Sequence, residues 1–251
     1  MAAEFRRDGV RSSLLWDVLS EVAAARMAET GRPALDIVDV GGGTGGLAVP
    51  FAALGHNVTV VDPSPDALAA AQRRAAEADA RLTSVQGEAA SLDSVVGPAA
   101  ADLVVCHNVL EYVEEPADAM SAIARVLRPS ATVSVIASNA VAAVLHRALA
   151  GRFAEARRLL TSVGTTFPAP GWTPFPLGRR FTLPELIALV ERAGLRAGEV
   201  HGLRIFGGLV PGSLLEGDAA ATEALRALEE AAASTPPLRD IAAQLHVLGH
   251  R

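Results

Sequence analysis

The run Leu35-Asp36-Ile37-Val38-Asp39-Val40-Gly41-Gly42-Gly43-Thr44-Gly45-Gly46 ends an apolar segment in a cluster of glycines, and a carboxylate, Asp62, closes the next apolar segment, Asn57-Val58-Thr59-Val60-Val61. Glycine reaches left-handed backbone conformations without strain and lets a ligand approach the main chain closely. An acid about 20 residues beyond such a loop can accept hydrogen bonds from two ribose hydroxyls. The chemistry these residue types offer at this spacing is nucleoside binding. Gly41, Gly43 and Gly46 also fit the G-x-G-x-x-G spacing of dinucleotide sites. A tight strand-to-helix turn with no ligand is the plain alternative, and Asp62 lies where a ribose ligand needs it.

Asp39 narrows the choice of nucleoside. An acid two residues before the first glycine repels the pyrophosphate of a nicotinamide cofactor, whereas it suits an ammonium group. S-adenosylmethionine carries an ammonium and no phosphate. Gly87-Glu88-Ala89 follows a further apolar segment, where an adenine edge can be recognised, and Pro63 adjoins Asp62. His107 ends another apolar run and is a candidate for cofactor contact or for a catalytic base. Beyond residue 138, Asn139 and Arg204 are candidates to position a methyl acceptor. A cation among Leu203, Ile205 and Phe206 needs a partner, either a substrate carboxylate or a structural ion pair. His146 reads as a helix histidine, and Arg152, Arg157 and Arg158 as a solvated helix face. Trp172 and Phe175 lie in the aromatic, proline-rich stretch 164–180, which reads as a lid.

Elements that position these residues follow from periodicity. Apolar runs near 35–40, 57–61, 82–86, 102–106 and 131–137 read as strands, and helical patterns near 45–55, 65–79, 90–96 and 117–127 alternate with them. Nearly continuous apolar strands predict a parallel sheet covered on both faces. Residues 10–29 form an amphipathic helix with Leu14, Leu15, Val18, Leu19 and Val22 on one face, ended by Gly31 and Pro33. Residues 140–162 read as one or two helices broken at Gly151, 182–193 and 214–233 as helices, and 199–206 and 241–249 as strands.

The chain has 251 residues and a net charge of −6, so wholesale attraction to nucleic acid is not indicated. Its 22 basic residues are all arginine, so any anion site must use guanidinium. The single cysteine, Cys106, excludes an internal disulfide and a cysteine-rich zinc site, and no metal motif is evident. With no signal peptide and no apolar run long enough for a membrane span, a soluble cytoplasmic protein without membrane association is expected.

The order Val38-x-Val40 around Asp39, Gly41-Gly42-Gly43-Thr44-Gly45, Asp62, then Asp102-Leu103-Val104-Val105-Cys106-His107-Asn108-Val109-Leu110-Glu111, then Leu127-Arg128-Pro129, resembles the class I S-adenosylmethionine-dependent methyltransferases across residues 35–137. The resemblance implies an α/β, Rossmann-like fold. Its sheet has seven mostly parallel strands with helices on both faces, and here it would carry a small helical and loop cap. One domain over 1–251 is expected, with an N-terminal helical segment (1–33), a cofactor-binding half (34–138), a cap and lid insertion (139–181) and a C-terminal half (182–251).

A narrower likeness rests on Val10-Arg11-Ser12-Ser13-Leu14-Leu15-Trp16, His107-Asn108-Val109-Leu110-Glu111-Tyr112, Asn139-Ala140, Gly151-Arg152-Phe153 and Gly202-Leu203-Arg204-Ile205-Phe206. These are similar to the bacterial tRNA 5-carboxymethoxyuridine methyltransferases, which esterify the carboxylate of a modified wobble uridine. That likeness implies cofactor contacts at Arg11, Gly41, Gly42, Asp62, Ala89 and His107, with Arg11 clamping the methionine carboxylate. It implies methyl transfer from S-adenosylmethionine to a tRNA carboxylate, leaving S-adenosylhomocysteine. A small carboxylate-bearing metabolite is the alternative acceptor, because the lysine-rich segment of the enterobacterial members is replaced here by the 164–180 stretch. A cofactor-binding module without catalysis is the remaining reading.

Overall fold

The computed structural model describes residues 10–162, 179–210 and 218–251, with side chains from residue 14 onward. Of the stretch expected as a lid, residues 164–178 with Trp172 and Phe175 lie outside the described residues, as does the side chain of Arg11. Seven strands form one sheet in the order β3-β2-β1-β4-β5-β7-β6. They are β1 (Asp36–Val40), β2 (Asn57–Asp62), β3 (Leu82–Gln86), β4 (Ala101–His107), β5 (Leu127–Ser138), β6 (Arg196–Leu203) and β7 (Gln244–His250). The helices are α1 (Val10–Thr30), α2 (Ala48–Ala53), α3 (Pro65–Glu77), α4 (Leu92–Val96), α5 (Pro116–Val126), α6 (Ala140–Leu149), α7 (Phe153–Ser162), α8 (Leu183–Arg192) and α9 (Ala219–Ala233). The chain divides into two compact units. One comprises residues 17–136, 187–198 and 247–251, and the other 1–16, 137–186 and 199–246.

In the first unit β1 pairs in parallel with β2 and β4, β2 with β3, and β4 with β5. Parallel pairing needs crossover connections, and the helices between these strands supply them. β4 is buried along Ala101–Cys106 because it lies inside the sheet, whereas β3 at the edge exposes Thr83 and Gln86. Phe51, Leu35, Ile37, Leu103, Met120 and Ile123 are fully buried and form the body of this core. β5 starts earlier than its apolar run suggests. Ala101 pairs with Leu127 and Leu103 with Thr132, so residues 128–131 form an irregularity with Ser130 at φ 60°.

The strand ends opposite the glycine loop are tied by charge. The buried Asp102 carboxylate accepts hydrogen bonds from Arg26 Nε (3.3 Å), from the Arg128 guanidinium (2.8 Å) and from the Asp36 main-chain N–H (3.1 Å), and pairs with Arg32 at 2.5 Å. Asp36 itself pairs with Arg32 and Arg128. A single buried carboxylate is tolerable because cationic and main-chain donors surround it. Arg251 closes α5 in the same unit, its guanidinium donating to the carbonyls of Ala124, Arg125 and Leu127, the orphan acceptors at a helix C-terminus.

In the second unit, α6 begins at Asn139, whose side-chain oxygen accepts from Val141 N–H at 2.9 Å. α9 is capped by Asp218, whose carboxylate accepts from Ala221 N–H at 2.8 Å and fixes the first turn, while residues 214–217 of the helix expected here lie outside the described residues. β6 stops at Leu203 rather than 206, because Arg204 turns to φ 59° and leaves extended conformation. His201 and His246, on β6 and β7, stack with centroids 5.2 Å apart and share one proton position between Nδ1 atoms at 3.1 Å.

Candidate cofactor cradle and acceptor residues

The glycine loop bridges β1 and α2. Gly41 sits at φ 63° and donates its N–H to Val61 O at 2.7 Å. A Cβ there would lie 2.4 Å from Val109 Cγ2, and one on Gly42 would lie 2.7 Å from both Cγ and Oδ2 of Asp39. These two glycines are demanded by packing against the segment after β4 and against the acid of β1. Gly43 differs: at φ 53°, a Cβ on it would meet nothing within 4 Å. Its main chain therefore faces open space, as a ligand-contacting backbone must.

Asp62, at the end of β2, is buried and links the loop to the next turn. Its Oδ2 accepts from Gly43 N–H and its Oδ1 from Ser64 N–H, each at 2.9 Å. It is not the cap of α3, a role taken by Ser64, whose hydroxyl accepts from Ala67 N–H. Each Asp62 oxygen keeps a further lone pair for a hydroxyl donor.

Asp39 is buried in β1. Burial, then the nearby Asp62 charge, push its carboxyl up to about 7, against a hydrogen bond from Ala48 N–H that pulls it down. Among the described residues no cation pairs with these two neighbouring buried carboxyl groups, and a ligand bearing an ammonium and a ribose supplies both what Asp39 needs and what Asp62 can accept. The residues present thus fit S-adenosylmethionine.

Around this pair, Pro63 is exposed and its carbonyl accepts from Gln86 Nε2 at 3.1 Å. Glu88 is exposed in extended conformation, and Ala89 behind it is buried at the start of a short 3-10 turn. His107 ends β4 with Nε2 2.7 Å from Ser134 Oγ on β5, so one ring nitrogen serves the sheet. Cys106 is buried, and burial together with the charges of Glu111 and Asp39 pushes its thiol far up, which leaves it protonated and chemically inert. Glu111, buried after β4, is an acid of this region to which residue spacing assigned no role.

The acceptor candidates belong to the second unit. Asn139 is buried, its Nδ2 donates at 2.8 Å to the carbonyls of Asp240 and Ala242, and its Oδ1 caps α6. Both amide protons are held by main chain, so Asn139 serves as the cap of α6. Arg204 is likewise not a strand residue in an apolar setting but an exposed residue just past β6, and no carboxylate pairs with its guanidinium among the described residues. His146 on α6 lies close by, since a Cβ on Gly208 would approach its Nε2 to 3.2 Å. Burial, then the charges of Arg204, Arg180 and Arg147, lower its proton affinity, so its imidazole is neutral at neutral pH. Arg152 pairs with Glu155 while Arg157 and Arg158 are exposed, a solvated face. Among the described residues no cluster of three or more metal-ligating side chains occurs and no helix is long and apolar enough to cross a membrane.

The sheet and cradle define a Rossmann-like nucleoside-binding α/β protein. Residues 38–135 match the family described as a methyltransferase domain. A ubiquinone biosynthesis O-methyltransferase from Methylocella silvestris is 32% identical over 219 residues, covering 81% of this chain and 77% of that protein. The tRNA 5-carboxymethoxyuridine methyltransferase of Escherichia coli is 32% identical over 146 residues, covering 57% of this chain, and the match spans about half the length of that relative (54%). Among solved structures, a magnesium protoporphyrin IX methyltransferase from Synechocystis with bound S-adenosylhomocysteine superimposes with a TM-score of 0.59 at 16% identity, over 96% of this chain and 85% of that one. The chain belongs to the S-adenosylmethionine-dependent methyltransferases.

Proposed function

We propose that the protein transfers the methyl group of S-adenosylmethionine to an oxygen of a carboxylate, as in the wobble 5-carboxymethoxyuridine of tRNA. The buried pair Asp39 and Asp62 beside an open Gly43 main chain carries the cofactor half of this reading. Asp62 takes the ribose hydroxyls and Asp39 the ammonium. Gly41, Gly42 and Gly43 give main-chain approach, Pro63, Glu88 and Ala89 border the adenine, and His107 and Arg11 complete the cofactor contacts. When bound, S-adenosylmethionine supplies a methyl group activated by its sulfonium. The chain's own residues then have to orient the acceptor and exclude water. An ionised carboxylate needs no base, and Arg204 offers it a bidentate guanidinium.

A hydroxyl-bearing small metabolite is a second reading, favoured by the neutral imidazole of His146. A neutral imidazole can take the proton a hydroxyl must lose. The 32% identity to a ubiquinone biosynthesis O-methyltransferase over most of both chains supports it as well. Labelled methyl transfer separates them. The protein is incubated with labelled S-adenosylmethionine and either total tRNA or a small-molecule extract. Base-labile label in tRNA is the expected result, because esters hydrolyse in alkali. Base-stable label confined to the extract would replace the carboxylate reading with an ether-forming one.

A further inference from the structure

The turn that carries Arg204 is held by an unusual carboxylate. Glu229 lies on α9, a helix whose Glu223, Arg226 and Glu230 make ordinary surface pairs with one another. Of these acids Glu229 alone is buried, 5% exposed, and among the described residues no arginine pairs with it. Its Oε2 accepts from Ile205 N–H at 2.7 Å, and its Oε1 from Phe206 N–H at 2.9 Å and Gly207 N–H at 2.6 Å. Three consecutive main-chain donors thus converge on one side chain, an anion-holding arrangement of the backbone. The far side of the turn is fixed by Ala243 N–H donating to Arg204 O at 3.2 Å, and Ile205 packs with Ala232 and Ala242 beneath it. Arg204 is left exposed at φ 59°, a conformation a non-glycine residue keeps only when its surroundings impose it.

We infer that Glu229 is a positioning residue: by gathering the N–H groups of 205–207 it sets the left-handed turn that presents the Arg204 guanidinium to the carboxylate of the acceptor. The inference rests on the reading of Arg204 given above. A staple serving only the fold has no need to hold at the head of the turn an exposed cation that no carboxylate pairs with among the described residues. Gly207 meets the same constraint, since a Cβ there would sit 3.2 Å from Glu229 Oε1.

The test compares the wild type, Glu229→Gln, Glu229→Ala, Arg204→Ala and the Glu229→Ala/Arg204→Ala double variant. Methyl transfer is followed on tRNA bearing 5-carboxymethoxyuridine, and cofactor affinity by titration with S-adenosylhomocysteine. Glu229→Ala is expected to raise KM for this tRNA about tenfold with cofactor affinity unchanged, to add little to Arg204→Ala, and to recover in part with added formate, which can refill the three-donor cradle. Glu229→Gln keeps one acceptor oxygen and is expected to fall between. Equal losses of acceptor use and cofactor affinity, or full additivity with Arg204→Ala, would overturn the assignment.

The same variants are treated with phenylglyoxal in the presence of benzoate, a simple carboxylate, and modification of Arg204 is read by mass spectrometry. Benzoate is expected to protect Arg204 in the wild type and not in Glu229→Ala. If the wild type ignores the tRNA yet this protection pattern holds, the tRNA reading fails and the role of Glu229 stands. If protection is absent in the wild type or survives in Glu229→Ala, the role of Glu229 falls.

Discussion

Asp39 is the residue on which cofactor affinity and fold stability pull in opposite directions. Its carboxyl rises from the ordinary 3.8 to about 7 because it is buried next to Asp62. Between those two pH values the native protein holds a proton that the unfolded chain has lost, so stability falls as pH rises through the window and the full cost persists above it. A bound ammonium favours the ionised carboxylate, so below pH 7 cofactor binding must expel that proton. S-adenosylhomocysteine affinity is therefore expected to weaken on acidification, by up to about tenfold per pH unit. Calorimetry in two buffers of different ionisation enthalpy should show the released proton. Asp39→Asn is expected to flatten both dependences: the free protein becomes more stable at neutral pH while the cofactor binds more weakly. An unchanged pH profile of binding in Asp39→Asn would place the ammonium elsewhere. The Asp39–Gly42 approach was legible in the sequence only as spacing. The raised proton affinity was not, because it arises from the packing of β1 and β2 that brings Asp62 beside it.

At the scale of elements, the site is two loops held face to face within one unit: the glycine loop after β1 and the Asn108–Tyr112 segment after β4. Val109 seals them, its Cγ2 filling the space that a Cβ on Gly41 would occupy. Gly41→Ala combines this overlap with a left-handed φ, which together cost about 2–4 kcal/mol. Adding Val109→Ala is expected to return the steric part and leave the conformational part, so a thermal-unfolding double-mutant cycle should show coupling of about 1 kcal/mol or more. Strict additivity would mean that the loops move apart rather than press together. β1, β2 and β4 were readable because each is a largely apolar run ended by Gly, Asp or Asn. What was not readable lies where main chain decides. Arg204 looked like a strand cation because its neighbours are apolar, and its positive φ appears only once the turn forms. Asn139 looked like a free polar group until the carbonyls of Asp240 and Ala242 took its amide. Glu229 read only as one position of the helix expected over 214–233, for nothing in its helical spacing announces three main-chain donors from a turn more than 20 residues away.

Across the whole molecule, charge bounds how an RNA acceptor can be held. The chain carries a net charge of −6, so affinity for a polyanion must come from local arginines rather than from the overall field. Many of those are already committed. Arg26, Arg32 and Arg128 serve Asp36 and Asp102, while Arg125, Arg147, Arg152, Arg226 and Arg239 each pair with an acid. Each contacted phosphate of a single strand contributes a slope of about −0.7 in log affinity against log salt. If recognition is confined to the carboxylate at Arg204 and one or two phosphates, KM for tRNA bearing 5-carboxymethoxyuridine is expected to rise only gently with KCl, with a slope of about 1 to 2. Arg204→Ala should then lower affinity at every salt concentration and flatten that slope, because the lost contact is itself ionic. A slope of about 5 or more would require an extended phosphate track, which the paired arginines of this protein do not supply, and would relocate RNA recognition to its remaining arginines.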